Sequence, residues 1–255
     1  MTLTFSPSNH RYTMDGKAVA GVTTLLGKGM PKPALPYWSA KEVACYVADN
    51  PDGVETLRGM GREPMVAALK GIPWQRRDEA GVRGTDVHAI AEEIVHGRDV
   101  EVPEHLLDHV KGYARWLDAF KVEPVLTERS VGNRKHWYAG RFDLIADMAG
   151  WRWMLDVKTS KSVYGETAMQ TDAYRHAEFY VDDDDPDTEH PLPEGIERLG
   201  VIHVTEHGST LFPLESDGSA FTVFTHVAYL AKKQDAIKAY LMDPITTITE
   251  LENLR

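Results

Sequence analysis

Two aspartates thirteen positions apart, Asp143 and Asp156, and a lysine two further on, Lys158, speak most directly of chemistry. They stand in Gly140-Arg141-Phe142-Asp143 and Asp156-Val157-Lys158, and Ala149-Gly150 between them reads as a two-residue turn. If 138–148 and 151–158 are the arms of that hairpin, residues whose numbers sum to 299 face each other, and Asp143 faces Asp156. Directly opposed residues hold their Cβ atoms about 4.5–5.5 Å apart, so both carboxylates reach one cation. Lys158 points to the same face as Asp156, while Leu144, Leu155 and Val157 point into the core. Two carboxylates this close repel unless a cation or a proton intervenes, and hard oxygen ligands suit Mg²⁺ or Mn²⁺. A metal flanked by a lysine suits phosphodiester hydrolysis. The ion polarises the phosphate and the attacking water, and the ammonium orients that water or offsets developing charge. A salt-bridged triad on a solvated strand would use the same three residues, and an Asp-x-Lys triplet alone does not decide between them.

Two further features point to the same place. Thr85-Asp86-Val87-His88 opens a helix with His88 and Glu92 on one face, so His88 would add an imidazole to a carboxylate site. An ordinary surface histidine fits that position as well. Gln170 and Tyr174 share a face of the helix after the Asp-x-Lys strand. They would hydrogen-bond a DNA phosphate or hold the active-site lysine, and a routine amphipathic helix would show the same spacing.

The elements that must position these residues follow from the hydrophobic period. The first 40 residues are rich in turn formers. A helix begins near the N-cap Ser39 and stops at Asn50-Pro51-Asp52-Gly53, and 54–72 continue as helix with interruptions at Gly59 and Gly61. Pro73-Trp74-Gln75-Arg76-Arg77 breaks the pattern. Helical spacing returns over Thr85–Val95 and again over His105–Phe120. After Val122 the period becomes that of strands: 124–132, 138–148 and 151–158. A helix over about 166–180, an acidic loop, strands at 199–205 and 209–214 and a helix over about 219–242 complete the chain. These elements divide into an N-terminal helical and loop region (1–80) packed on a core (81–244), with a tail at 245–255.

The net charge of −11, from 28 basic and 39 acidic residues, is wrong for a protein with a basic footprint spread over its surface. Eight of the acids lie within 181–197, which has no Lys or Arg; outside it 31 acids meet 28 basic residues, a net −3, so a local basic groove remains open. The Asp182–Asp185 run reads as a solvated loop; shielding a nucleic-acid groove, or binding a basic partner, is the alternative use of it. Hydrophobic residues at 42% and no apolar run of about 18 exclude a disordered chain and a membrane helix. The single Cys45 makes no internal disulfide and no four-cysteine metal site, and no signal pattern opens the chain, so a reducing cytoplasm is expected.

In order and spacing the motifs resemble the RecB-like branch of the PD-(D/E)XK nuclease superfamily: Gly84-Thr85-Asp86-Val87-His88, Gly140-Arg141-Phe142-Asp143, Asp156-Val157-Lys158-Thr159 and Gln170-Thr171-Asp172-Ala173-Tyr174. The likeness covers about residues 84–180. The opening stretch, His10-Arg11-Tyr12 through Val22–Leu26 to Trp38-Ser39-Ala40-Lys41, is similar to that of bacteriophage-encoded members. The resemblance implies an α/β, restriction-endonuclease-like mixed central sheet flanked by helices, with a mostly helical N-terminal lobe. It implies His88, Asp143, Asp156 and the Val157 carbonyl around Mg²⁺ or Mn²⁺, Lys158 as the catalytic lysine, and Gln170 and Tyr174 as its supporting pair. Many relatives are DNA exonucleases of recombination and repair. Some carry an iron–sulfur cluster, which Cys45 alone cannot hold.

A nuclease must also hold a polyanion. Arg76, Arg77 and Arg83 before the His88 helix, Arg134 and Lys135 before strand 138–148, and Lys161 after the Asp-x-Lys strand are the candidate phosphate contacts. Trp38, Trp74 and Trp137 are candidates for stacking on bases, although core packing explains each. The expected function is a divalent-metal-dependent DNA exonuclease. A structure-specific or nicking endonuclease with the same site, and a non-catalytic DNA- or protein-binding module on the same fold, are the rivals.

Overall fold

The computed structural model describes residues 2–6, 9–98 and 100–248, with the backbone alone described at 80, 82–86 and 238. The side chains of Arg83 and of Gly84-Thr85-Asp86, and tail residues 249–255, therefore lie outside the described residues.

The turn-rich opening forms a small antiparallel sheet of β1 (Leu3–Ser6), β2 (Arg11–Met14) and β3 (Lys17–Val19). Asp15 and Gly16 make the tight turn between β2 and β3, both in the left-handed region at φ 50° and 73°. Leu3, Met14 and Val19 bury against Ala139, Phe179 and Val181 of the main sheet. Four helices follow: α1 (Val22–Gly29), α2 (Ala34–Asp49), α3 (Pro51–Gly59) and α4 (Arg62–Val95). α2 begins before Ser39. Pro51 ends α2 and also opens α3 at its first position, where a missing N–H costs nothing.

The break expected at Pro73 and the boundary expected at residue 80 both fall inside α4, which runs unbroken from 62 to 95. A proline inside a helix forfeits one backbone hydrogen bond, at about 3 kcal/mol. Here its ring is buried, and tertiary packing holds the helix: α2 and α3 lie against it, and α5 (Leu107–Phe120) packs on its second half, Val110 against Val87 and Ile90. Residues 1–80 are thus tied to the core by a shared helix.

The main sheet is built from β4 (Glu123–Asn133), β5 (Tyr138–Met148), β6 (Trp151–Lys158), β7 (Phe179–Val181), β8 (Ile196–Thr205) and β9 (Gly208–Leu214). Its order is β7-β4-β5-β6-β8-β9, and the sheet is mixed because β6 and β8 run parallel while the other pairs are antiparallel. The crossover between those two parallel strands carries α6 (Glu166–Arg175); the helix stops short of residue 180 because 179–181 are drawn into β7 at the sheet edge. α7 (Ser219–Ile237) closes the fold. The result is an α/β architecture with helices on both faces. α4 and α5 cover one face through Ala91, Tyr113, Trp116 and Leu117 against Leu144, Leu155, Val157 and Ile202. α1, α6 and α7 cover the other through Leu25, Tyr174 and Phe224 against Phe142, Ile145 and Met154. No helix of the described residues is long and apolar enough to cross a membrane.

The β5–β6 hairpin has the register that its turn dictates. Met148 pairs with Trp151 and Leu144 with Leu155, around Ala149 and Gly150 at φ 53° and 81°.

Candidate active site

At Asp143 the alternation of β5 breaks. Strict alternation would put Phe142 and Leu144 on one face. Instead Phe142 packs with Ile145 beneath α6 and α7, and Leu144 packs under α5. On the neighbouring strand Thr127 pairs with Leu144 and Arg129 with Phe142. Glu128 between them has φ 50°, a left-handed conformation costing a non-glycine residue roughly 1–2 kcal/mol. Glu128 and Asp143 therefore face each other across a distortion in both strands.

The paired ladder of β5 and β6 stops at Leu144 and Leu155, one pair short of Asp143 and Asp156. In place of the expected plain cross-strand pair, Asp143 turns its carboxylate toward β6, and its Oδ2 accepts the Val157 N–H at 2.6 Å. In extended backbone the N–H and C=O of one residue point to the same side, so the Val157 carbonyl also lies along this gap.

Three elements bring side chains to the gap. From α4, His88 Nδ1 comes 3.5 Å from Asp143 Oδ2 and 3.7 Å from Glu128 Oε1. These three residues offer ligand atoms all within 4.8 Å of one another. They line a cleft of about 10 Å³, bounded also by Glu92 and Tyr113, with room for about one water or a bare ion. From α6, Gln170 Nε2 donates to Asp156 Oδ1 at 2.8 Å. From β6, the Lys158 ammonium lies 2.6 Å from Asp156 Oδ2. Asp156 is buried and engaged by these two partners; the compact group of nearby ligand atoms comprises His88, Glu128 and Asp143, and Glu128 was not among the residues the sequence pointed to. Gln170 supports the aspartate: its side-chain amide donates to that carboxylate, not to the lysine.

The electrostatics are those of one coupled cluster. The Asp143 carboxylate raises the His88 pKa to about 9 against the opposing effect of burial, with Glu128 adding to it. Burial pushes Asp143 up to about 7; Asp156 and Glu128 add to the rise, and His88 and Lys158 oppose it. For Lys158, burial works to lower the pKa, but Asp156 and Asp143 outweigh it and the ammonium is strengthened. Protons on His88 and Lys158 thus offset carboxylates that a divalent ion would otherwise neutralise.

Glu128 carries no motif of its own. Its partnership with Asp143 depends on the β4–β5 register, in which paired residues from Leu126 onward, past a bulge, sum to 271. Glu128→Gln is expected to weaken Mn²⁺ binding at least tenfold in a calorimetric titration; an unchanged affinity would remove Glu128 from the ligand set.

Tyr174 sits deeper than a phosphate contact would. It is 4% exposed, and a Cβ added at Gly140 would lie 2.3 Å from its Cε1 atom. Gly140 and Tyr174 are therefore matched by close packing of α6 on β5, and burial raises the Tyr174 pKa well above the usual tyrosine value. Gln170→Ala should cost about 10- to 100-fold in activity, the usual effect of losing an outer hydrogen bond beside a metal site, because Asp156 would no longer be held to orient Lys158; Tyr174→Phe should stay within severalfold of the parent. Parallel steady-state assays of the two variants measure the contrast, and equal losses would contradict it.

The cations expected to contact phosphate are scattered. Arg76 and Arg77 lie within α4, Arg76 paired with Glu79 and Arg77 with Asp78 while also stacked on Trp74 at 4.5 Å. Arg134 is occupied by Asp15 and Glu189. Lys135 and Lys161 are exposed. Trp74 is 60% exposed, Trp38 is half-buried, and Trp137 donates its indole N–H to the Ala18 carbonyl. The acidic loop is also engaged: Asp182 pairs with Arg129 on β4, and Asp183 makes a two-point pair with Arg141 on β5 at 2.8 and 2.9 Å. Arg141 reaches the cleft from its other side, where its Nε donates to Glu128 Oε2 at 2.8 Å.

Neither the protein-family models nor the curated proteins gave a match to this chain. Among solved structures, the crystal structure of SSO0001 is similar over 53% of this chain and 62% of that one, at 17% sequence identity and a TM-score of 0.29. The match thus spans less than two thirds of that protein's length, and a likeness at this level carries nothing about function.

Proposed function

We propose that this chain is a divalent-metal-dependent deoxyribonuclease of the RecB-like PD-(D/E)XK kind, hydrolysing phosphodiester bonds at DNA ends in the cytoplasm. One observation carries the reading: His88 from α4, Asp143 from β5, Asp156 and Lys158 from β6, and Gln170 from α6 meet where β5 and β6 part. A salt-bridged triad on a solvated strand needs neither an imidazole against Asp143 nor a buried aspartate held by a glutamine.

The donor set fits Mg²⁺ or Mn²⁺. Asp143 and Glu128 offer hard oxygens, His88 an imidazole, and the Val157 carbonyl lies along the same gap. When bound there, the ion would polarise the scissile phosphate and the attacking water. The chain's own residues supply the rest. His88 gives up its ring proton to become a ligand. Gln170 fixes Asp156 in one orientation, and Asp156 in turn fixes the Lys158 ammonium. Lys158 then offers N–H groups to the attacking water or to the charge that develops on the phosphate oxygens. The Val157 N–H holds the Asp143 carboxylate in place without another side chain.

The test is digestion of end-labelled linear DNA and of closed circular DNA with Mg²⁺ or Mn²⁺, with Asp156→Ala as control. Loss of linear substrate alone, abolished in the variant, is expected. Cleavage of the circle would make the protein an endonuclease with this same site. No cleavage under either metal, with calorimetry showing no uptake of the ion, would leave a binding module.

A further inference from the structure

A second feature adjoins the cleft. Between β1, the β4–β5 pair and the acidic loop lies a cavity of about 440 Å³, within the range of small-ligand pockets. Its floor is Ser130, 2% exposed, whose hydroxyl has no hydrogen-bond partner. Ser130 and Arg141 are directly paired across β4 and β5, so their side chains stand on one face of the sheet. Phe5 lines the outer wall, its ring 4.7 Å from that of Tyr12. Asp182 and Asp183 line the side toward solvent.

Three properties define the ligand. A buried hydroxyl left without a partner costs stability unless something docks against it. A guanidinium fork that takes a two-point carboxylate also takes a two-point phosphate, and the Asp183 side chain that occupies it is 61% exposed. The same guanidinium bonds Glu128, so whatever Arg141 holds lies beside the candidate metal ligands. Volume and the aromatic wall leave space for a nucleoside attached to that phosphate.

We propose that this cavity is the subsite for a terminal nucleotide of the nucleic acid. Its phosphate is received by Arg141 and the Ser130 hydroxyl, its base lies against Phe5, and Asp183 occupies Arg141 until the nucleotide displaces it. The inference rests on the nuclease reading and gives it an end-recognition site. It also gives the acidic loop a role as an internal competitor.

The experiment is calorimetric titration of the full chain with deoxyadenosine monophosphate, and separately with inorganic phosphate, in chelator so that no hydrolysis occurs. Saturable binding of the nucleotide, tighter than that of phosphate, is expected. Ser130→Ala should weaken it about tenfold, the effect of losing a hydrogen bond to a charged group. Asp183→Asn should tighten it about two- to fivefold, the equivalent of a part-exposed ion pair. No saturable binding by the parent, equal binding of phosphate and nucleotide, or indifference to both substitutions would overturn the assignment. Asp183→Asn alters an exposed side chain, so its result stands even if Ser130→Ala folds poorly. A protein that cuts DNA and binds no nucleotide would refute this subsite alone. One that binds the nucleotide and cuts nothing would refute the nuclease reading alone.

Discussion

Lys158→Ala should bind Mn²⁺ at least as tightly as the parent and lose about 10²- to 10³-fold in turnover, the usual effect of removing one donor aimed at developing charge. The two halves of that expectation have different origins. Lys158 is outside the His88, Glu128 and Asp143 group, so no ligand atom is lost, and removing a positive charge near the site favours a cation. Turnover suffers because the ammonium 2.6 Å from Asp156 is the cation held next to the reacting position by its own strand. A purely structural lysine would instead lower stability and leave kcat intact in the folded fraction. Metal titration, thermal unfolding and kcat measured on one preparation separate the cases. A parental kcat would refute the role assigned to Lys158.

The hairpin that carries the candidate site was legible because a two-residue turn sets its register: once Ala149-Gly150 is the turn, every pair above it follows, and the structure keeps that register up to Leu144 and Leu155. What the turn does not determine is where the strands stop pairing. The parting at Asp143 depends on Glu128 adopting a left-handed backbone on a third strand and on a buried N–H claiming the carboxylate. Neither has a local signature. Glu128 was hidden for the same reason, since its nearness to Asp143 arises from pairing across the loop at 134–137.

The misread elements share a cause: tertiary packing overrode a local preference. Pro73 is a strong breaker by itself, yet α4 passes through it. Residues 179–181 continue a helical run in sequence, but their backbone is taken up by β4. The acidic loop is exposed at Asp183–Asp185, as its composition suggests, but its ion pairs were not legible because its arginine partners, Arg129, Arg134 and Arg141, are some 40 or more positions earlier in the chain. Charge patterning within a window does not register such pairs.

Asp172, within the Gln170–Tyr174 motif, should matter for a different reason. It is wholly buried; its Oδ1 accepts from Arg175 at 2.6 Å, and its Oδ2 accepts the Phe221 N–H at 2.8 Å in the first turn of α7. Burial works to raise its pKa, but His176, the Phe221 N–H and Arg175 outweigh it and hold the carboxyl below its ordinary value. A depressed folded-state pKa contributes stability that is full above the unfolded value of about 3.9 and is lost as pH falls through the folded one. Asp172→Ala leaves the Arg175 guanidinium with the Ser216 carbonyl alone and strands the Phe221 N–H, and it should cost about 3–5 kcal/mol at pH 7. That is a large share of the roughly 5–15 kcal/mol that holds a domain together. Because α6 also carries Gln170, the loss should loosen the Asp156 support as well. Urea unfolding at pH 7 and at successively lower pH is the measurement: the gap between parent and variant should hold or widen toward about pH 5, as His176, whose pKa Asp172 raises, becomes fully protonated, and then shrink below about pH 4 as the carboxylate is neutralised. A gap under about 1 kcal/mol at pH 7 would mean that α6 and α7 are joined by apolar packing alone, through Ala173, Tyr174 and Phe224.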